Sequence, residues 1–120
     1  MIRHIVLIRF NEDIAESEIA DIWQDLHALN GRVPGLLAMH AGRSESPEKI
    51  ERGYLHGFTV DFEDWEALAV YQAHPDHKRL GARLVANARG GIDGILVFDL
   101  PFEPASAEAI DDRPGSADRC

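Results

Sequence analysis

A single cysteine, Cys120, stands at the last of 120 positions, so no internal disulfide can brace the chain. Basic side chains are also scarce. Twelve Lys and Arg against 21 Asp and Glu leave a formal charge of −9. A surface of that sign repels phosphate backbones, which disfavours nucleic acid as a partner. No apolar run approaches the roughly 18 residues that a membrane span needs, so no membrane association is expected. The opening Met-Ile-Arg-His-Ile-Val-Leu-Ile-Arg-Phe holds too short an apolar run for a signal peptide and no small-residue cleavage site. A cytoplasmic protein is the expectation. Hydrophobic residues make up 45% of the chain, enough for one domain with its own core.

Residues Ile2 to Phe10 read as a first strand, apolar on both parities and so buried on both faces. His4 shares a face with Val6, Ile8 and Phe10. A helix should follow, capped by Asp13 with Glu16 completing a capping box. Ile19, Ile22, Trp23, Leu26 and Leu29 form its apolar stripe, and His27 lies off it in solvent. Asn30-Gly31 and Pro34 end it. Leu36 to Arg43 reads as a second strand, with Leu37, Met39 and Ala41 on one face and His40 on the other. A polar loop, Ser44 to Arg52, leads to a third strand, Tyr54 to Phe62, in which Gly57 signals a bulge or a close approach by another backbone.

The most distinctive stretch runs from Gly53 to His77. His56, Phe58, Val60 and Phe62 fall on one strand face. Asp64 caps the next helix, on which Trp65, Leu68, Ala69 and Gln72 share a face and Tyr71 lies on the flank. His74-Pro75 ends that helix or starts another, which would turn Leu80, Leu84 and Ala88 inward before Gly90-Gly91. Tyr71, His74 and His77 therefore collect around one helix break. Ile92 to Leu100 is the last strand. Residues 1–100 form one domain, and 101–120 read as a polar, flexible tail.

The order β-α-β-β-α-β predicts an α+β, ferredoxin-like fold with an antiparallel four-stranded sheet. Right-handed crossovers put both helices on one face. The other face would be uncovered and apolar, which is anomalous on a monomer. A homodimer packed through the sheet faces resolves this. It would be a dimeric α/β barrel, whose apolar interior is the expected place for a small ligand.

Three short pieces in this order carry a resemblance: His4-Ile5-Val6-Leu7-Ile8-Arg9-Phe10, Gly53-Tyr54-Leu55-His56-Gly57-Phe58, and Tyr71-Gln72-Ala73-His74-Pro75-Asp76-His77. Across residues 1 to 100 the chain resembles the stress-responsive dimeric α/β-barrel (Dabb) domain family. The resemblance implies a homodimer. One branch of the family consists of polyketide cyclases that close a linear poly-β-ketone by aldol chemistry without a cofactor. There a tyrosine and a histidine matching Tyr71 and His77 are the working pair, and histidines matching His4 and His56 line the same cavity. Where the plant cyclase type is aromatic on the second strand this chain has His40 and Ala41, which implies a different pocket shape.

The residue chemistry is compatible with that. An imidazole in an apolar cavity tends to stay neutral near pH 7 and can take a proton α to a carbonyl. The expected roles are His77 as base, Tyr71 as polariser, and His4, His56, His40 and Phe58 as ligand-contacting groups. Against each stands a structural role, as a core histidine, a packing aromatic or a helix cap. His74-x-x-His77 has the spacing of two metal ligands, but Pro75 disrupts the geometry and no further ligand accompanies it, so no metal is expected. No cofactor is expected either. Three readings follow. One is an acid–base cyclase or lyase acting on a small apolar carbonyl compound. Another is a non-catalytic small-ligand-binding or stress-protection module. The third is a cofactor-independent monooxygenase of the wider dimeric barrel superfamily.

Overall fold

The computed structural model describes residues 1–104, so most of the expected tail lies outside the described residues. The elements are β1 (Ile2–Ile8), α1 (Glu16–His27), β2 (Leu36–Arg43), β3 (His56–Phe62), α2 (Trp65–Ala73), α3 (Pro75–Asn87) and β4 (Ile95–Pro101), with a 3₁₀ turn at Gly91–Gly94 before β4. All neighbouring strands are antiparallel, in the order β2-β3-β1-β4. This is the expected ferredoxin-like sheet.

Alternation along β1 decides what each face holds. Ile2, His4, Val6 and Ile8 are buried, while Arg3 is exposed and Ile5 and Leu7 are half-buried. The buried set meets His56, Phe58, Val60 and Phe62 of β3, register partners across the pair. Helix α1 closes over them with Ile19, Ile22 and Leu26, all but inaccessible to water. Deleting a side chain such as that of Leu26 should cost ~2–5 kcal/mol. Gly57 is the predicted close approach: a methyl there would meet the Leu7 side chain at 2.8 Å and the Val6 carbonyl at 2.9 Å.

Several local expectations are corrected. Helix α1 is not capped by Asp13. It begins after Ala15, which offers no side-chain acceptor, because Asn11 to Ile14 close a turn first. The inner face of α2 is Ala67, Leu68 and Tyr71, whereas Trp65, Ala69 and Gln72 face solvent. In β2 a bulge between Leu36 and Ala38 breaks the alternation, so Leu37 is exposed while Met39 stays buried. Strand β3 starts at His56 rather than Tyr54, and β4 starts at Ile95 because the 3₁₀ turn takes the residues before it. Asp64 does cap α2, accepting from the Ala67 amide at 2.9 Å.

The face away from the helices is apolar on one half only. Ile5 and Leu7 of β1 lie opposite Phe98 and Leu96 of β4, and Leu96, Phe98 and Leu100 are all exposed. On β3, where both parities were expected to be apolar, this face carries Gly57, Thr59 and Asp61. Asp61 is buried under a two-pronged bond from Arg3, at 2.8 and 3.0 Å. Helix α3 is tied to α1 by Arg83, which reaches Glu18, Asp21 and Asp25 on successive turns. Those three carboxylates push the Arg83 guanidinium pKa up.

Candidate functional site

The break between α2 and α3 builds the centre of the site. His74 is extended rather than helical, and Pro75 takes the first position of α3, where a missing N–H costs nothing. The His74 ring accepts from the Asp76 amide at 3.0 Å, so it caps α3 and does not point inward. The turn brings Tyr71, from the end of α2, against His77, from the start of α3. Their ring centroids are 4.4 Å apart. His4 approaches Tyr71 from the sheet with its ring edge, centroid to centroid 5.9 Å, and Phe62 closes the far side at 5.0 Å.

Tyr71 has no exposed surface, and its hydroxyl has no hydrogen-bond partner. Leaving such a group unpaired costs about 1–3 kcal/mol, so it invites explanation. Burial also pushes the phenol above its ordinary pKa. Tyr71 is therefore a neutral donor. His77 is half-buried, and its Nδ1 lies 3.2 Å from the Gln72 carbonyl oxygen. A carbonyl only accepts, so Nδ1 carries the proton and Nε2 keeps the basic lone pair. Burial holds the His77 pKa below its ordinary value, against the opposing pull of the Gln72 carbonyl, with His4 and His74 lowering it further. A neutral base thus sits against a neutral phenolic donor.

Asp99 was not foreseen. Its Oδ1 lies 2.6 Å from His4 Nδ1 across the β1–β4 pair, in which His4 and Asp99 are register partners. The carboxylate takes the Nδ1 proton of His4 and fixes that ring beside Tyr71. The sequence carried a signal: one acid inside the apolar run Ile95 to Leu100.

The remaining expected residues are not brought to this point. His56 and Phe58 are on the helix side of the sheet with His4, but His56 pairs with Ile8, four residues along β1. At the strand rise that is about 13 Å away. His56 packs its ring on Phe10 at 5.3 Å, leaves Nε2 buried without a partner, and has its pKa lowered chiefly by burial. It borders a separate crevice of about 230 Å³. Phe58 packs on Trp23 at 6.0 Å. His40 is exposed on the opposite face, beside Thr59, at the edge of a shallow hollow of about 320 Å³. The expected cavity between two sheets is therefore not what Tyr71, His77 and His4 line. They meet between the sheet and the helices of one chain, because the even parity of β1 faces α2 and α3.

A ferredoxin-like α+β domain with a buried Tyr–His pair under its helices is the class that fold and site define. The sequence profile of the stress responsive A/B barrel domain matches residues 2–102, and the chain belongs to that family. The stress-response A/B barrel domain-containing protein HS1 of Arabidopsis thaliana is 30% identical over 105 residues, 88% of this chain and 91% of that protein. Olivetolic acid cyclase of Cannabis sativa is 25% identical over 98 residues, 82% of this chain and 93% of that enzyme. Among solved structures, a dimeric ferredoxin-like protein of unknown function from Jannaschia sp. CCS1 superposes with a TM-score of 0.79. It is 36% identical and covers 84% of this chain and 98% of its own. No helix among the described residues is long and apolar enough to cross a membrane.

Proposed function

We propose that the protein binds a small apolar carbonyl compound at Tyr71 and His77 and moves a proton on it without a cofactor. The observation that carries this reading is the unpartnered Tyr71 hydroxyl held against His77, whose free nitrogen is assigned by the Gln72 carbonyl. A ligand carbonyl placed between the two rings would accept from the Tyr71 O–H. His77 Nε2 would remove a proton from the adjacent carbon, and the phenol would stabilise the enolate oxygen that forms. The enolate then attacks a second carbonyl, as in cyclisation, or is reprotonated by His77. His4, held by Asp99, positions Tyr71. The likeness to olivetolic acid cyclase supports a carbonyl substrate of this kind.

The direct test is deuterium exchange at the central carbon of a 1,3-diketone, followed by NMR. Exchange should be accelerated by the wild type and reduced by about 10²-fold or more in His77→Asn and in Tyr71→Phe. Exchange at the wild-type rate in His77→Asn would remove His77 as the base. One observation favours a binding module instead. Tyr71 is fully enclosed, so a ligand must displace side chains to reach it. In that case both variants would change affinity, and neither protein would exchange the diketone.

We also infer a homodimer through the uncovered sheet face. Phe98, Leu96 and Leu100 are exposed there beside Ile5 and Leu7, a cluster that a second copy would remove from water. The Jannaschia relative is described as dimeric.

A further inference from the structure

Between the C-terminal end of α1 and the start of α3 runs a groove of about 400 Å³. Its floor is Leu29 and Leu80, both buried. Leu80 lies one helical turn after His77 on the inward face of α3, so the groove ends beside the ring that covers Tyr71. Its rim is charged. Asp76 takes a bond from Arg32 at 2.8 Å and is also in contact with Arg79. Both guanidinium groups are well exposed, at 59% and 73%. Arg83, lower in the groove, already has three carboxylates. Two cations on the single carboxylate of Asp76 leave one positive charge at the rim, on a chain whose formal charge is −9.

Building on the Tyr71–His77 reading, we infer that Arg32 and Arg79 bind the carboxylate of a keto acid whose carbonyl end reaches Tyr71 and His77. The ligand class follows from three features. A single excess charge matches a monoanion. Arginine offers a planar fork suited to carboxylate, and the pair already holds one such group in Asp76. The apolar floor suits an alkyl body between the two ends. The ligand carboxylate joins Asp76 on the two guanidinium groups and brings the rim to neutrality. On a surface otherwise negative, such a spot also guides an anion to this groove rather than elsewhere.

The test compares 4-oxodecanoate with its methyl ester, which differ in charge and keep the ketone. Binding is read by NMR from the His77 ring resonances. The acid is expected to bind the wild type about tenfold more tightly than the ester. In the double variant Arg32→Gln/Arg79→Gln the acid should fall to the affinity of the ester, and the ester should be unchanged. Arg89→Gln removes one cation far from the groove, where Arg89 pairs with Glu12, and should keep the preference. Salt near 0.5 M should weaken the acid alone. Equal affinities for acid and ester, with His77 responding to both, overturn the carboxylate assignment and leave the Tyr71–His77 site standing. A preference that survives in the double variant overturns it as well. No response of His77 to either compound overturns both the site and this inference.

Discussion

His4 Nδ1 and Asp99 Oδ1 lie 2.6 Å apart, joining the first strand to the last directly beside Tyr71. His4 is almost fully buried, and Asp99 is half-buried on the edge strand. The contact closes the site from below, because it stops the imidazole rotating about its bond to the strand. Asp99→Leu is expected to strand the Nδ1 proton and destabilise the fold by ~1–3 kcal/mol in urea unfolding. Asp99→Asn keeps an acceptor and should cost less. If His4 only fills space, both variants will have the same stability.

The histidines supply a pH dependence whose sign is fixed. Burial lowers the pKa of His56 and of His77, so at mildly acid pH the unfolded chain binds more protons than the folded one. Stability is then fully present at higher pH. It falls as pH drops below the unfolded value near 6.5 and levels off below the folded values. Each histidine can contribute a slope of at most ~1.4 kcal/mol per pH unit. Thermal melts between about pH 8 and pH 5.5 should show Tm falling, and His77→Asn should flatten the curve. A variant with the unaltered slope would show that His77 is not the group being titrated.

The fold was legible because its signals are local and repeated. Strand alternation in β1 and β3, the α1 stripe and the Asp64 cap each follow from a few neighbouring residues. Pro75 at the first turn of α3 could be read from one dipeptide. What escaped depends on register or on competing acceptors. The bulge at Leu37 turns one side chain outward, and alternation alone gives no sign of it. Asp13 looked like a cap, but the Asn11–Ile14 turn consumes that stretch. The site was half legible. Tyr71 and His77 flank a single helix break, so sequence proximity brings them together. His56 has the same parity as His4, yet parity says nothing of distance along a strand. Asp99 joins His4 only through the pairing of the first strand with the last, 95 residues away.

The uncovered sheet face gives a prediction about assembly. Phe98 stands opposite Ile5 in the register and is 55% exposed in the single chain. In a sheet-to-sheet homodimer it would be enclosed, and a carboxylate there would lose its water without a partner. Phe98→Asp should therefore give a folded monomer in sedimentation equilibrium, with wild-type far-ultraviolet circular dichroism. His40→Ala, at the polar margin of the same face, should leave the assembly intact. A Phe98→Asp protein that still sediments as a dimer would mean that the chains associate through another surface.

The Tyr71 hydroxyl offers the sharpest separation of stability from function. It is enclosed by Phe62, His4 and His77 and bonded to none of them. A buried donor without an acceptor is a liability for folding, of about 1–3 kcal/mol, and phenylalanine of nearly the same shape would remove it. Tyr71→Phe is therefore expected to be as stable as the wild type or more stable by up to ~2 kcal/mol. The same change should abolish diketone exchange, since it removes the group that meets the enolate oxygen. Gain of stability with loss of activity is the pattern of a residue kept for chemistry. Urea unfolding and the exchange assay on the same preparation decide it. A destabilised Tyr71→Phe would mean that the hydroxyl is paired in solution, and would place Tyr71 in the core as a structural residue.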